Sequence, residues 1–177
     1  MNTETATQTP EKSSEAAFVG HLYGLAQRAE GGDGAARAQL ARLRRTLTGR
    51  TLTYNGLSEV GDQLPPDLPD PALDTYLLVA ALFALNDSAA RPPNESFGAT
   101  LKKLRKALSA GAESLDRRFG ALLDADAEEL PYRLRQLTQQ LASRNLAPNY
   151  YRLLEDLLKW DLPSRAIQRK WARDYWT

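Results

Sequence analysis

Apolar residues recur every three or four positions over most of the chain, the spacing of a single buried helix face. Ser13 or Ser14 can cap a first helix, in which Phe18, Leu22, Leu25, Ala26 and Ala29 form one stripe. Gly31-Gly-Asp-Gly34 breaks it. A second helix is predicted over 35–48, with Ala36, Leu40, Leu43 and Leu47 inward and Gly49 as its stop. Residues 50–70 are Pro-rich and acidic and show no clear period. Asp70 and Pro71 then read as cap and first helical residue. The run 73–86 is apolar on nearly every side, which predicts a central, buried helix.

Arg91-Pro-Pro-Asn94 is the next punctuation. A helix over about 96–110 is expected to bury Phe97, Leu101, Leu104 and Leu108, and a shorter one carries Leu115, Phe119, Leu122 and Leu123. Asp126 and Glu129 have the spacing of a capping box, with Pro131 early in the helix that follows and Leu130, Leu134, Leu137 and Leu141 as its stripe. Pro148-Asn149 opens a helix through Trp160. Asp161 is expected to cap the last, in which Ile167, Trp171 and Tyr175 lie at i, i+4, i+8. Short connections imply antiparallel neighbours. The expected fold is therefore all-α, a compact bundle of seven to eight helices. It forms a single domain over 14–177, with candidate halves 14–90 and 91–177 on either side of the Pro-rich break.

Composition strengthens this reading. Thirty of the 177 residues are Leu, whereas Val occurs only at 19, 60 and 79 and Ile only at 167, a bias toward helix and away from strand. No stretch approaches the ~20 consecutive apolar residues that span a membrane, so no membrane partner is expected. Residues 1–13 lack an apolar core and are expected to form a solvated, disordered tail rather than a signal peptide. With no Cys in the chain, disulfides, thiolate zinc sites and cysteine nucleophiles are excluded, and a cytoplasmic location is expected. The single His, His21, excludes the HExxH pattern and multi-His metal cages.

A formal charge of +1 argues at first against a nucleic-acid partner. Resolved along the chain, it is a sum of opposing blocks. Residues 34–50 hold five Arg and no acid, 91–112 carry +4 and 130–177 carry +5; 1–33, 51–90 and 113–129 carry −3, −6 and −4. Two of the basic blocks share a pattern, L-x-[RK]-L-R-[RK]-x-L, over 40–47 and 101–108. At ~100° per residue the leucines fall on one line and the cations fan over the opposite face. Arg42, Arg44 and Arg45 thus correspond to Lys103, Arg105 and Lys106. Neither helix supplies an acid at i±4 to neutralise them, and such faces suit a phosphate backbone. Arg outnumbers Lys 17 to 6, which favours bidentate phosphate contacts.

Other features point to no chemistry. Asp124, Asp126, Glu128 and Glu129 are explained by the preference for acids at a helix N-terminus. His21, beside an apolar stripe, is assigned a packing or surface role. Trp160, Trp171 and Trp176 have core-like spacing, although tryptophans also stack on bases. There is no GxxxxGK[ST] or GxGxxG phosphate loop and no catalytic constellation, so no enzymatic activity and no cofactor or metal is expected.

Four stretches, in order, resemble the CasB family, the small subunit of the type I-E CRISPR surveillance complex Cascade. They are Gly34-Ala-Ala-Arg-Ala-Gln-Leu-Ala-Arg-Leu-Arg-Arg45; Val79-Ala-Ala-Leu-Phe-Ala-Leu85 with Ser96-Phe-Gly98 and the basic helix; Leu115-Asp-Arg-Arg-Phe-Gly-Ala-Leu-Leu123 leading to Leu130-Pro-Tyr-Arg-Leu-Arg-Gln-Leu137; and Tyr151-Arg-Leu-Leu-Glu-Asp-Leu-Leu-Lys-Trp160 with Ile167-Gln-Arg-Lys-Trp-Ala-Arg-Asp-Tyr-Trp176. The resemblance implies an all-α, non-enzymatic subunit present in two copies. Its implied partners are the large subunit, the backbone subunits, its own second copy, the guide RNA and the opened target DNA, including the displaced strand. It further implies nucleic-acid binding without sequence readout, in antiviral defence. Carried onto this sequence, it marks Arg42, Arg44 and Arg45; Lys102, Lys103, Arg105 and Lys106; Arg117 and Arg118; and Arg133, Arg135 and Arg144. The alternative is a helical protein–protein adaptor whose basic faces dock acidic partner surfaces.

Overall fold

The computed structural model describes residues 13–90 and 92–177. The tail expected over 1–13 lies outside them, apart from Ser13. Nine α-helices and one short hairpin make up the described chain, which is all-α in class. Helix α1 (Ser14–Glu30) begins where Ser13 Oγ accepts the Ala16 N–H. Helix α2 (Gly34–Arg45) begins where the Asp33 carboxylate accepts from Ala35 and Ala36.

Helix α2 stops three residues short of the predicted end. Two Thr-Leu-Thr runs, 46–48 and 51–53, flank Gly49-Arg50, and the chain folds back there as an antiparallel hairpin of β1 (Leu47–Thr48) and β2 (Thr51–Leu52). Gly49, at φ +61°, leads the two-residue turn. Leu47 still reaches the core from the strand. The acidic 50–70 segment also contains structure that periodicity did not predict, a short helix α3 (Leu57–Val60) between two 3-10 turns. It accounts for the ninth helix.

Helix α4 (Asp70–Leu85) is the centre of the bundle, with every residue from Tyr76 to Ala84 buried. Asp70 lies inside the helix rather than capping it, because the cap position is taken by Pro69. α4 packs against α2 and, from the second half of the chain, against α7 (Leu130–Ala142) and α8 (Tyr150–Leu157). The buried residues of 14–90 and 91–177 consequently form one contiguous cluster.

Helices α5 (Phe97–Ala107), α6 (Ala112–Leu123) and α9 (Ala166–Trp176) complete the fold. α5 is capped by Ser96, whose Oγ also donates to Asp174 at 2.6 Å. Leu108 leaves the helix and is only half-buried. Asp126 accepts from the N–H groups of Glu128 and Glu129, but Glu129 turns to Arg133 instead of completing a capping box. α8 ends at Leu157, short of Trp160. Asp161 does not cap α9: the chain enters that helix through Arg165, at φ +48°.

Helices α5 and α9 approach each other at their backbones. A Cβ on Gly98 would sit 2.2 Å from the Trp171 carbonyl oxygen, so the two backbones touch where only glycine fits. Trp171 is fully buried beside them, and its indole N–H donates to the Asp156 carboxylate at 2.7 Å.

Candidate nucleic-acid interface

The two copies of the basic motif are treated alike by the fold. In the third position, Arg42 forms a bidentate pair with Glu59 of α3 (2.6 and 3.0 Å), and Lys103 pairs with Glu95 at 2.6 Å. In the fifth position, Arg44 donates to the Ala84 carbonyl and meets Asp87 at 3.5 Å, while Arg105 forms a bidentate pair with Asp116 of α6 (2.7 and 3.1 Å). In the sixth position, Arg45 and Lys106 are exposed, with no acid within 4 Å among the described residues. The expectation of wholly uncompensated faces is thus corrected. Neither helix neutralises its own cations, but acids from α3, α6 and the loops do so at four of the six positions.

The electrostatics of these pairs follow from their geometry. The Arg42 hydrogen bond holds the Glu59 carboxyl below its ordinary range, and Arg105, through its hydrogen bond, does the same at Asp116. Asp116 also accepts the Tyr175 hydroxyl at 2.6 Å, so it ties α5, α6 and α9 together. These arginines are paired within the chain and link α2 to α3 and α5 to α6.

The remaining marked residues divide in the same way. Arg117 and Arg144 are exposed and Lys102 is half-buried, with no acid within 4 Å of any of them among the described residues; Arg118 meets only the neutral Gln140, at 3.3 Å. Arg133 is half-buried, pairs with Glu129 at 3.3 Å and lies 5.8 Å from the Tyr132 ring. Arg135 is also half-buried, and the Nε atoms of both Arg133 and Arg135 are buried without a partner. The cations left to solvent are therefore Arg45, Lys106, Arg117, Arg118 and Arg144, with Lys102 partly so.

Helix α9 adds cations that the sequence expectations did not include. Arg169, Lys170 and Arg173 are exposed, and no acid lies within 4 Å of them among the described residues. Their signal was present as the polar complement of the Ile167–Trp171–Tyr175 stripe.

A second surface has the opposite character. A cleft of about 580 Å³ opens between the hairpin and the N-terminal ends of α4 and α7. Leu78, Leu130, Leu157 and Trp160 form its apolar wall. Asp70, Asp74, Glu128 and Asp161 stand around it, so the acidic 51–90 and 113–129 blocks converge here. Among the described residues the cleft is lined by one cation, Arg50, which lies 4.7 Å from the Tyr132 ring.

Other acids and His21 have local roles. Asp124 pairs with Arg165 at 3.1 Å, and among the described residues no group of three or more His, Asp or Glu side chains is placed to hold a metal ion. His21 is half-buried, and burial together with the nearby Arg28 charge lowers its pKa. No helix among the described residues is long and apolar enough to cross a membrane.

The sequence model of the family described as CRISPR-associated protein Cse2 matches residues 39–176, which include both basic motifs, α9 and the cleft. The chain belongs to the Cse2 family. Cse2 of Thermus thermophilus is 37% identical over 103 residues, 58% of this chain; the chain spans 56% of that relative's length, little more than half. A crystal structure of a Cse2-family protein from the same organism is 30% identical with a TM-score of 0.68, covering 88% of this chain and 96% of that one. The CasB of M. ruber is 31% identical with a TM-score of 0.67, covering 93% of each chain. A chain of a CRISPR RNA-guided surveillance complex shares the fold, with a TM-score of 0.69 at 21% identity over 92% of this chain and 91% of that one.

Proposed function

We propose that this Cse2-family chain is a non-catalytic small subunit of the Cascade complex that binds nucleic acid without reading its sequence. In that role it helps hold the opened target DNA, with the large subunit, the backbone subunits, the guide RNA and a second copy of itself as partners in the cytoplasm. The observation that carries the reading is the motif's shared pattern: Arg45 and Lys106 stay outward and unpaired while their neighbours are tied to acids. Exchange of a DNA duplex for an RNA–DNA hybrid is nearly balanced, so a few phosphate contacts can tip it. Such contacts position a strand without specifying its bases.

The test is equilibrium binding of labelled DNA by fluorescence anisotropy across a salt series. Each phosphate contact to duplex DNA contributes about 0.9 to the slope of log affinity against log salt. The double variant R45E/K106E is expected to bind more weakly and to lower that slope by about two. Unchanged affinity and slope would sink the assignment of these residues.

The acid-rimmed cleft favours a second reading, that of a protein adaptor. An apolar wall beneath four acids fits a partner segment with an apolar side chain between Lys or Arg residues. This reading predicts that reversing Asp74 and Glu128 to Lys abolishes co-assembly with the other subunits after nuclease treatment, while DNA binding persists.

A further inference from the structure

The three tryptophans are not equivalent. Trp160 and Trp171 are buried, whereas Trp176 is 52% exposed. Its indole is braced from the protein side by Tyr175, edge-on at 4.6 Å between centroids, and by Phe119 at 6.5 Å. The Arg105 guanidinium lies 5.8 Å from the ring centroid.

Trp176 also lies in line with the unpaired cations of α9. Arg169, Arg173 and Trp176 stand at i, i+4 and i+7, which places them within roughly 60° of one another around the helix. Lys170 flanks this stripe. The one acid of the helix, Asp174, accepts the Ser96 hydroxyl and so faces α5, away from the stripe. Among the described residues, the other exposed large apolar side chains, Tyr54 and Leu162, belong to other segments. An indole alone among cations is not the contiguous apolar patch that a protein interface buries at its centre. It is the combination that single-stranded nucleic acid uses: cations for the backbone and an aromatic face for a base.

We propose that the Arg169–Arg173–Trp176 face of α9 binds an unpaired nucleic-acid strand, with a base stacked on the Trp176 indole and phosphates along the two arginines. The proposal rests on the nucleic-acid reading above and gives it a preference: bases in a duplex are already stacked on each other and cannot occupy the indole.

The test uses the full chain, a short oligothymidylate and a duplex of equal length. Because Trp160 and Trp171 are buried, quenching of indole emission reports on Trp176. The oligothymidylate is expected to quench it and the duplex to quench it much less. W176A is expected to weaken oligothymidylate binding about tenfold with duplex binding unchanged, and W176F to recover part of the loss. R169E/R173E is expected to weaken strand binding without moving the melting temperature. Suppose the wild type binds both nucleic acids but W176A keeps the same single-strand to duplex ratio: the stacking proposal then fails and the general reading stands. A wild-type protein that retains neither at low salt overturns both.

Discussion

Replacing Gly98 with Ala tests the packing that carries α5 and α9, the helices on which much of the candidate interface stands. The added Cβ would lie 2.2 Å from the Trp171 carbonyl oxygen and 2.9 Å from the Trp171 Cα and carbonyl carbon. Ordinary carbon–oxygen contacts begin near ~3.3 Å, so the two helices must part by about 1 Å. Both partners are backbone, and no side-chain rotation relieves the clash. Overpacking of this kind costs about 1–3 kcal/mol or more, against a helix-propensity gain of at most about 1 kcal/mol. With backbone against backbone the cost lies at the upper end of that range, and a net loss of about 2 kcal/mol corresponds to a fall in melting temperature of roughly 4–8 °C for a chain of this size. Gly120, also inside a helix, meets nothing within 4 Å of an added Cβ. G120A is therefore expected to hold or raise the melting temperature. Thermal denaturation followed by circular dichroism measures both. If G98A melts at or above the wild type, α5 and α9 are not in backbone contact and this helix packing is wrong.

Two further outcomes follow from buried and paired acids. Glu59 and Asp116 have carboxyls held below their ordinary range by Arg42 and Arg105, so the unfolded chain takes up protons first as the pH falls. Their stabilisation is full above the unfolded carboxyl pKa and is lost below it, and E59Q/D116N should flatten the acid limb of melting temperature between about pH 5 and pH 2; an equally steep limb refutes this. In α8, D156A strips the buried Trp171 indole N–H of its acceptor, and its urea midpoint should fall by the equivalent of about 1–3 kcal/mol, whereas E155A, at the exposed neighbour, should hardly move it. Equal midpoints for the two variants would show that the indole–carboxylate bond contributes nothing.

Much of the fold is legible along the chain because helix burial is a local, periodic property. Phe18, Leu22 and Leu25 in α1, and Leu134, Leu137 and Leu141 in α7, are buried as their spacing implies. The apolar run 73–86 is the central helix because no polar face is left to meet water. The errors fall where the period stops. Over 46–53 two Thr-Leu-Thr runs too short to stand out closed a hairpin, and Asp161, which looks like a cap, lost that role to the left-handed turn at Arg165. In the candidate site the cations themselves were readable, but their state was not.

The sequence by itself determined an all-helical chain, its core lines and the separation of charge into opposing blocks, since each depends on residues within a few turns of one another. Only the tertiary structure decided which of the cations are paired within the chain. Glu59 lies 17 residues from Arg42 and Asp87 lies 43 from Arg44, yet both pairs close in space. An ion pair depends on through-space distance, which no local pattern encodes. The same folding gathered two acidic segments around one cleft and left Trp176 exposed beside Arg105. It divided the chain's near-neutral total charge between two different surfaces.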